Sequence, residues 1–377
     1  MTTSWHQAWK RWTQPGGWSR PALLPDGGGQ PPEPVEWREL QALIELGGPT
    51  LQQHHLGNVD FTDPLAPAAG PRRVPLLAFS LGSRKPDAPL VAFFGGVHGL
   101  ERIGVQVVLA HLRSLLMRLR WDETLQHQLA GMRLVFMPIV NPGGLWLGSR
   151  SNPQGIDLMR SAPVEAVDPV APLVGGHRLG QLLPWYRGPA DAAMPVESAA
   201  LCGLVERESA GRPFVLTLDC HSGFGLADRL WFPWAGSRKP YPHLAELQAF
   251  GDILDQSLLH HRYQLEPQSR QYLTHGDLWD HLAQRIAQPA GRVFLPLTLE
   301  MGSWLWVRKN PRQLLHRDGL FNPVLDHRRE RVLRRHLAGL DFITRAAASW
   351  QRWLPADAGA REALQQRALA RWYGTGG

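Results

Sequence analysis

The stretch Phe93-Phe94-Gly95-Gly96-Val97-His98-Gly99-Leu100-Glu101 closes an apolar run and sets an imidazole and a carboxylate three residues apart. The run over 89–94 reads as a buried strand, and the amphipathic stretch over 102–120 reads as the helix that follows it. Open α/β sheets place ligands at the carboxyl ends of their strands, so His98 and Glu101 stand where a site belongs. A neutral imidazole and an ionised carboxylate suit zinc, and a catalytic zinc needs three protein ligands with one position left to water. Two ligands are in hand, and a third is needed.

The third candidate lies in Phe214-Val215-Leu216-Thr217-Leu218-Asp219-Cys220-His221-Ser222-Gly223, where a second apolar strand ends in a histidine followed by small residues. His221 can reach the same sheet edge. A further strand over 293–299 ends in Glu300-Met301-Gly302-Ser303 and delivers another carboxylate to that rim. With Glu300 as the general base acting on water, these are the parts of a zinc hydrolase. Asp219, two residues before His221, is either a carboxylate that orients the ligand or a strand-end cap. Cys220 lies between them, so it points to the opposite face of the strand and reads as a small buried apolar residue.

The ordered pieces His98-x-x-Glu101, Arg150, Gly155-Ile156-Asp157-Leu158-Met159-Arg160, His221-Ser222, Tyr272 and Glu300 resemble the M14 zinc carboxypeptidases. More loosely, they are similar to relatives that hydrolyse acylated amino acids, the aspartoacylase and succinylglutamate desuccinylase group. The resemblance implies a three-layer α/β/α sandwich around a mixed, mostly parallel eight-stranded sheet, with one zinc on His98, Glu101 and His221. It assigns Arg150 to the scissile carbonyl, where a fixed positive charge stabilises an oxyanion. Arg160 would grip the terminal carboxylate of the substrate with its planar fork of donors. Asp157 would orient His98. Tyr272, eight residues before Asp280, matches the family's mobile tyrosine, and Trp279 falls at a specificity-pocket position. Met159 departs from the pattern, because the family usually has asparagine there. A thioether is a weak acceptor and no donor, so recognition of a free C-terminus loses one polar contact.

The expected activity is hydrolysis of a peptide or amide bond near a carboxylate-bearing group. The alternative within hydrolases is an N-acyl amino acid deacylase. A non-catalytic zinc-fold binding module is the alternative of another class, and the presence of Glu300 in register with all three ligands argues against it.

Composition sets the frame. The chain has 377 residues, 44% of them hydrophobic, enough to bury a large core. Two cysteines, Cys202 and Cys220, make no disulfide framework, so a reducing compartment, the cytoplasm, is expected. The first ten residues lack the apolar core of a signal peptide, and no apolar run is long enough to span a bilayer. The formal charge of +7 raises the question of nucleic acid. Its source is late in the chain, notably His327-Arg328-Arg329-Glu330-Arg331, which runs into Leu333, Leu337, Leu340 and Ile343 as an amphipathic helix with a basic outer face. A solvated face explains it, and no nucleic-acid module accompanies it.

Three parts are expected: an N-terminal extension over 1–70 packed on the core, a catalytic domain over 71–305, and a C-terminal helical extension over 306–377. Residues 15–34 read as irregular and 159–194 as a long loop bordering the site. Helices are expected over 39–46, 197–209, 243–259, 277–287, 327–353 and 360–373, and strands also over 74–83 and 133–140. The chain has 16 tryptophans. Trp5, Trp9, Trp12, Trp18, Trp350, Trp353 and Trp372 fall in the extensions, which suggests that the extensions pack on the core.

Overall fold

Four apolar segments dictate the centre of the molecule. In a computed structural model describing residues 33–64, 66–286, 291–316 and 319–374, they form β3 (Leu90–Gly95), β4 (Arg133–Met137), β5 (Phe214–Ser222) and β8 (Val293–Met301). Every residue of β3, β4 and β5 is buried, which is the pattern of strands covered on both faces. They run parallel in the order β4-β3-β5-β8.

The sheet extends on both sides. Beyond β4 come β2 (Pro71–Gly82) and β1 (Gln52–Thr62), both antiparallel to their neighbours. Beyond β8 come β6 (Arg229–Phe232), antiparallel to β8, and β7 (Gln264–Pro267), parallel to β6. The result is one mixed eight-stranded sheet of order β1-β2-β4-β3-β5-β8-β6-β7. The boundary expected at residue 70 thus falls between two hydrogen-bonded strands, because β1 belongs to the sheet.

Helices cover both faces. On one lie α1 (Val35–Gly47), α2 (Arg102–Arg118) and α9 (Asp326–Ala348), with α2 and α9 packed on β3 and β5 and α1 packed on α2. On the other lie α5 (Val196–Ser209), against β1 and β3, and α7 (Leu278–Ile286), against β8. Period-two alternation sorts β5 between them. Cys220 faces α2, where a Cβ on Gly104 would collide with its backbone, so Asp219 and His221 face α7. Only glycine lets α2 approach β5 this closely.

The stretch over 327–353, expected as one helix, breaks at Ser349 into α9 and α10 (Trp350–Trp353). Trp350 and Trp353 pack on Phe214, and Trp372 of α11 (Ala358–Trp372) packs on Phe232. Trp5, Trp9, Trp12 and Trp18 lie outside the described residues. Part of the basic run is used internally: Arg328 donates to the Trp306 carbonyl and Arg335 pairs with Asp228. Among the described residues, no helix is long and apolar enough to cross a membrane.

Candidate active site

The parallel strands bring their carboxyl ends to one rim. His221 and Glu300 are register partners on β5 and β8, and Gly95 of β3 pairs with Cys220. Gly96, at φ 67°, turns the chain out of β3 toward His98. The turn carrying His98 and Glu101 then lies on α4 (Pro142–Leu147), where a Cβ on Gly99 would collide with the backbone of Gly144. Asn141, expected in a loop, caps α4 by accepting from Gly144 N–H at 2.7 Å.

His98, Glu101 and His221 converge, with ligating atoms all within 4.8 Å of one another. The Nδ1 atoms of the two imidazoles face each other at 3.2 Å. Glu101 bridges them, with Oε1 3.0 Å from His98 Nδ1 and Oε2 3.2 Å from His221 Nδ1. The Ser222 N–H donates to Oε2 at 2.9 Å and fixes the carboxylate. Behind each ring lies a carboxylate: Asp157 Oδ1 is 3.1 Å from His98 Nε2, and Asp219 Oδ2 is 2.8 Å from His221 Nε2. Both therefore direct Nδ1 at a common point, as ligand histidines with a fixed outer nitrogen do.

Charge is arranged to match. Burial would raise the Glu101 carboxyl, but His98 and His221 outweigh it and hold it below the usual range. Burial would likewise raise Asp157, and Arg150 and His98 hold it well below. His221 is the reverse: burial would lower it, but Asp219 and Glu101 hold it well above the ordinary imidazole value. A cation at this point would displace that proton. Two imidazole nitrogens and one carboxylate, each imidazole backed by an acid, fit Zn2+.

Around this point opens a cleft of about 760 Å³. Glu300 lines it, and burial together with the nearby Glu101 charge pushes its carboxyl up to about 8. Phe224 N–H donates to its Oε1 at 3.1 Å. Arg150 also lines the cleft, with Nε 3.0 Å from Asp157 Oδ2 and Nη1 3.2 Å from Glu101 Oε1. Met159, Arg160 and Tyr272 line the same cleft. Arg160 is 2% exposed, its Nε has no hydrogen-bond partner, and its guanidinium stands 5.8 Å from the Tyr272 ring centroid. Burial raises the Tyr272 phenol. The long loop, besides Met159 and Arg160, supplies Leu182, Leu183 and Trp185 to the lining.

Trp279 is the exception. It is not among the residues lining the cleft: α7 turns the indole into the sheet, edge-on to Phe94 at 5.3 Å. Its Nε1–H donates to Asp219 Oδ2 at 3.1 Å. This placement moves Trp279 from the specificity pocket expected of it to the support of His221, through the same carboxylate oxygen.

The zinc carboxypeptidase (peptidase M14) family pattern matches residues 48–301. The chain belongs to the zinc carboxypeptidase family. It is a zinc metallopeptidase. Among solved structures similar in fold are thrombin activatable fibrinolysis inhibitor, at 16% identity and TM-score 0.61, covering 83% of this chain and 73% of that one. Another is carboxypeptidase A from Helicoverpa armigera, at 15% identity and TM-score 0.59, covering 82% and 71%. The bovine thrombin-activatable fibrinolysis inhibitor, solved with a tick carboxypeptidase inhibitor, matches at 15% and 0.57, covering 82% and 95%. The family match begins inside the expected N-terminal extension, just ahead of β1, and ends at Met301, so α8 (Trp304–Lys309) and everything after it lie beyond it.

Proposed function

We infer that this zinc carboxypeptidase-family protein hydrolyses peptides with a free terminal carboxylate, and that one Zn2+ sits on His98, Glu101 and His221. Arg160 carries the reading. Arg160 is 2% exposed and lines the cleft that holds Glu300; Tyr272, Asp277 and Asp157 face its guanidinium, and its Nε keeps a donor free for the anion of a substrate. A carboxylate meets a guanidinium's fork of donors. The Tyr272 ring beside Arg160 would close over that group.

What the metal supplies when bound is Lewis acidity, polarising a carbonyl and making water a stronger acid. The protein's own residues do the rest. Glu300 takes a proton from the attacking water and hands it to the leaving amine, a task suited to a carboxyl whose affinity for protons is raised. Arg150 faces the carbonyl oxygen as negative charge develops. Asp157 steadies both Arg150 and His98. Leu182, Leu183 and Trp185 give the cleft an apolar border against which a substrate side chain can pack. Cys202 and Cys220 are free and buried, which supports a reducing compartment, the cytoplasm.

Glu300→Gln keeps the shape and is expected to retain zinc while turnover falls by at least ~100-fold. A peptide acid and its C-terminal amide, compared in the parent and Arg160→Ala, test the anchor. The parent should prefer the acid and Arg160→Ala should lose that preference; an unchanged ratio assigns Arg160 a structural role.

A further inference from the structure

The first turn of α2, which follows Glu101 directly, has no local side-chain cap. Helix N-termini leave backbone N–H groups without intrahelical partners, and a buried one must be met from elsewhere. Here it is met from 219 residues away. Asn322 Oδ1 accepts from Ile103 N–H at 2.9 Å, and Asn322 Nδ2 donates to the Leu100 carbonyl at 2.8 Å. One donor and one acceptor fix which way the amide faces. Its two bonds grip the main chain on either side of Glu101.

Asn322 is itself held. Gln313 Nε2 donates to its carbonyl at 2.8 Å and also to that of Gly319. The preceding residue, Phe321, lines the cleft and lies against Gly223, where a Cβ would come within 2.8 Å of the ring. The short segment over 319–322 therefore touches the loops of both histidine-bearing strands. It lies beyond the family match, which ends at residue 301.

We propose that Asn322 is a positioning residue for the metal: its amide sets the height and tilt of Glu101 so that this carboxylate closes the ligand set with His98 and His221. The inference rests on the zinc site put forward above. Partners one step behind metal ligands govern affinity by about 10–100-fold when they are lost. Asn322 acts through main chain rather than through a ligand ring, so its removal should lie near the lower end of that range.

The test reads zinc affinity by competition with a chromogenic chelator, on protein shown to be folded by circular dichroism. Asn322→Leu should weaken zinc by about tenfold. Asn322→Asp keeps the acceptor for Ile103 N–H, which secures the cap and the folding, but sets a carboxylate oxygen against the Leu100 carbonyl in place of the donor, and should also weaken zinc. Thr344→Val, a buried polar deletion on α9 remote from the cleft, measures what general destabilisation does and should leave zinc affinity unchanged. Affinity equal to the parent's in Asn322→Asp and in any folded Asn322→Leu overturns the proposal. So does an equal loss in Thr344→Val. The parent and His98→Ala are run alongside: parental zinc binding that disappears in His98→Ala upholds the site independently of Asn322, and a parent that binds no zinc overturns both.

Discussion

His98 and His221, at the floor of the cleft, each set one ring nitrogen against a carboxylate, Asp157 at 3.1 Å and Asp219 at 2.8 Å. His111 and His336, between the helices and the sheet, each set one against a hydroxyl, Thr344 at 3.3 Å and Tyr263 at 2.9 Å. All four rings are buried. Burial pushes His111 and His336 down to about 4, whereas Asp219 and Glu101 hold His221 well above the ordinary range. For His221 and His336 depth is equal and the outcome is opposite, and what differs is how close the acid stands: Asp219 is 2.8 Å from His221, Asp228 3.9 Å from His336. An acid in hydrogen-bond contact makes the His221 ring a stronger base, and behind either ring it fixes the outward nitrogen, which suits a metal ligand. Where the close partner is a hydroxyl and the acid stands off, burial wins and the ring is a neutral polar filler.

The comparison can be broken most directly by deleting one ring from each pair. Metal analysis should find about one zinc per parent chain, as three protein ligands imply, none in His98→Ala, and the parental amount in His336→Gln. Zinc lost equally from both would erase the distinction. The acids behind the rings come next: Asp157→Asn and Asp219→Asn should each weaken zinc by about 10–100-fold in chelator competition. Turnover should suffer more in Asp157→Asn, because that carboxylate also holds Arg150.

The hydroxyl-backed pair should declare itself in acid. His336 has a folded value of about 4 against 6.5 when unfolded, so between those pH values the unfolded chain binds more protons. Its contribution is present in full above pH 6.5 and is lost as the pH falls through this window. Asp228 and Arg335 are the charges that face it. From pH 7 to pH 5 the parent should lose about 2 kcal/mol more unfolding free energy than His336→Gln, measured by urea titration. The smallest effect belongs to Trp279→Phe, which keeps a ring against Phe94 and drops the N–H to Asp219. Zinc affinity should fall by roughly two- to tenfold, the scale of one hydrogen bond; no change would mean that Asp219 holds His221 unaided.

Legibility in the sequence followed locality. Apolar runs revealed β3, β5 and β8, and the ends of those strands carried His98, Glu101, His221 and Glu300. β1 was missed because Gln52-Gln53-His54-His55 offers no apolar run: it is an edge strand with mostly exposed or half-exposed positions. β6 and β7, at four residues each, are too short for periodicity to register. The eight-residue α3 (Glu123–Ala130) is absent from the expected helices although Asp122, its cap, is a start signal. From sequence Asp219 fits two roles, and its spacing of two from His221 on a strand puts both side chains on one face. The family resemblance puts Trp279 at a specificity-pocket position, and only its contacts with Phe94 and Asp219 show that the indole turns inward. Glu36, which binds Arg102 and Gln106 behind the same helix turn, and Asn322 leave no trace beside the motif they serve.

The turn that holds Glu101 has a consequence for the order in which this protein is made. His98 and Glu101 are neighbours as soon as they are translated, but the groups that fasten the turn around them are Glu36, 66 residues before the Arg102 side chain it binds, and Asn322, 222 residues after the Leu100 carbonyl it binds. Contacts of such long separation close late, because the entropy of the intervening chain opposes them until the rest of the fold is in place. A growing chain of three hundred residues already contains all three candidate ligands and the sheet that aligns them, and still lacks the amide that finishes the turn. Competence to retain a metal should therefore arrive near the end of folding, after the sheet has formed, so that a half-made chain releases the ion more readily than a finished one.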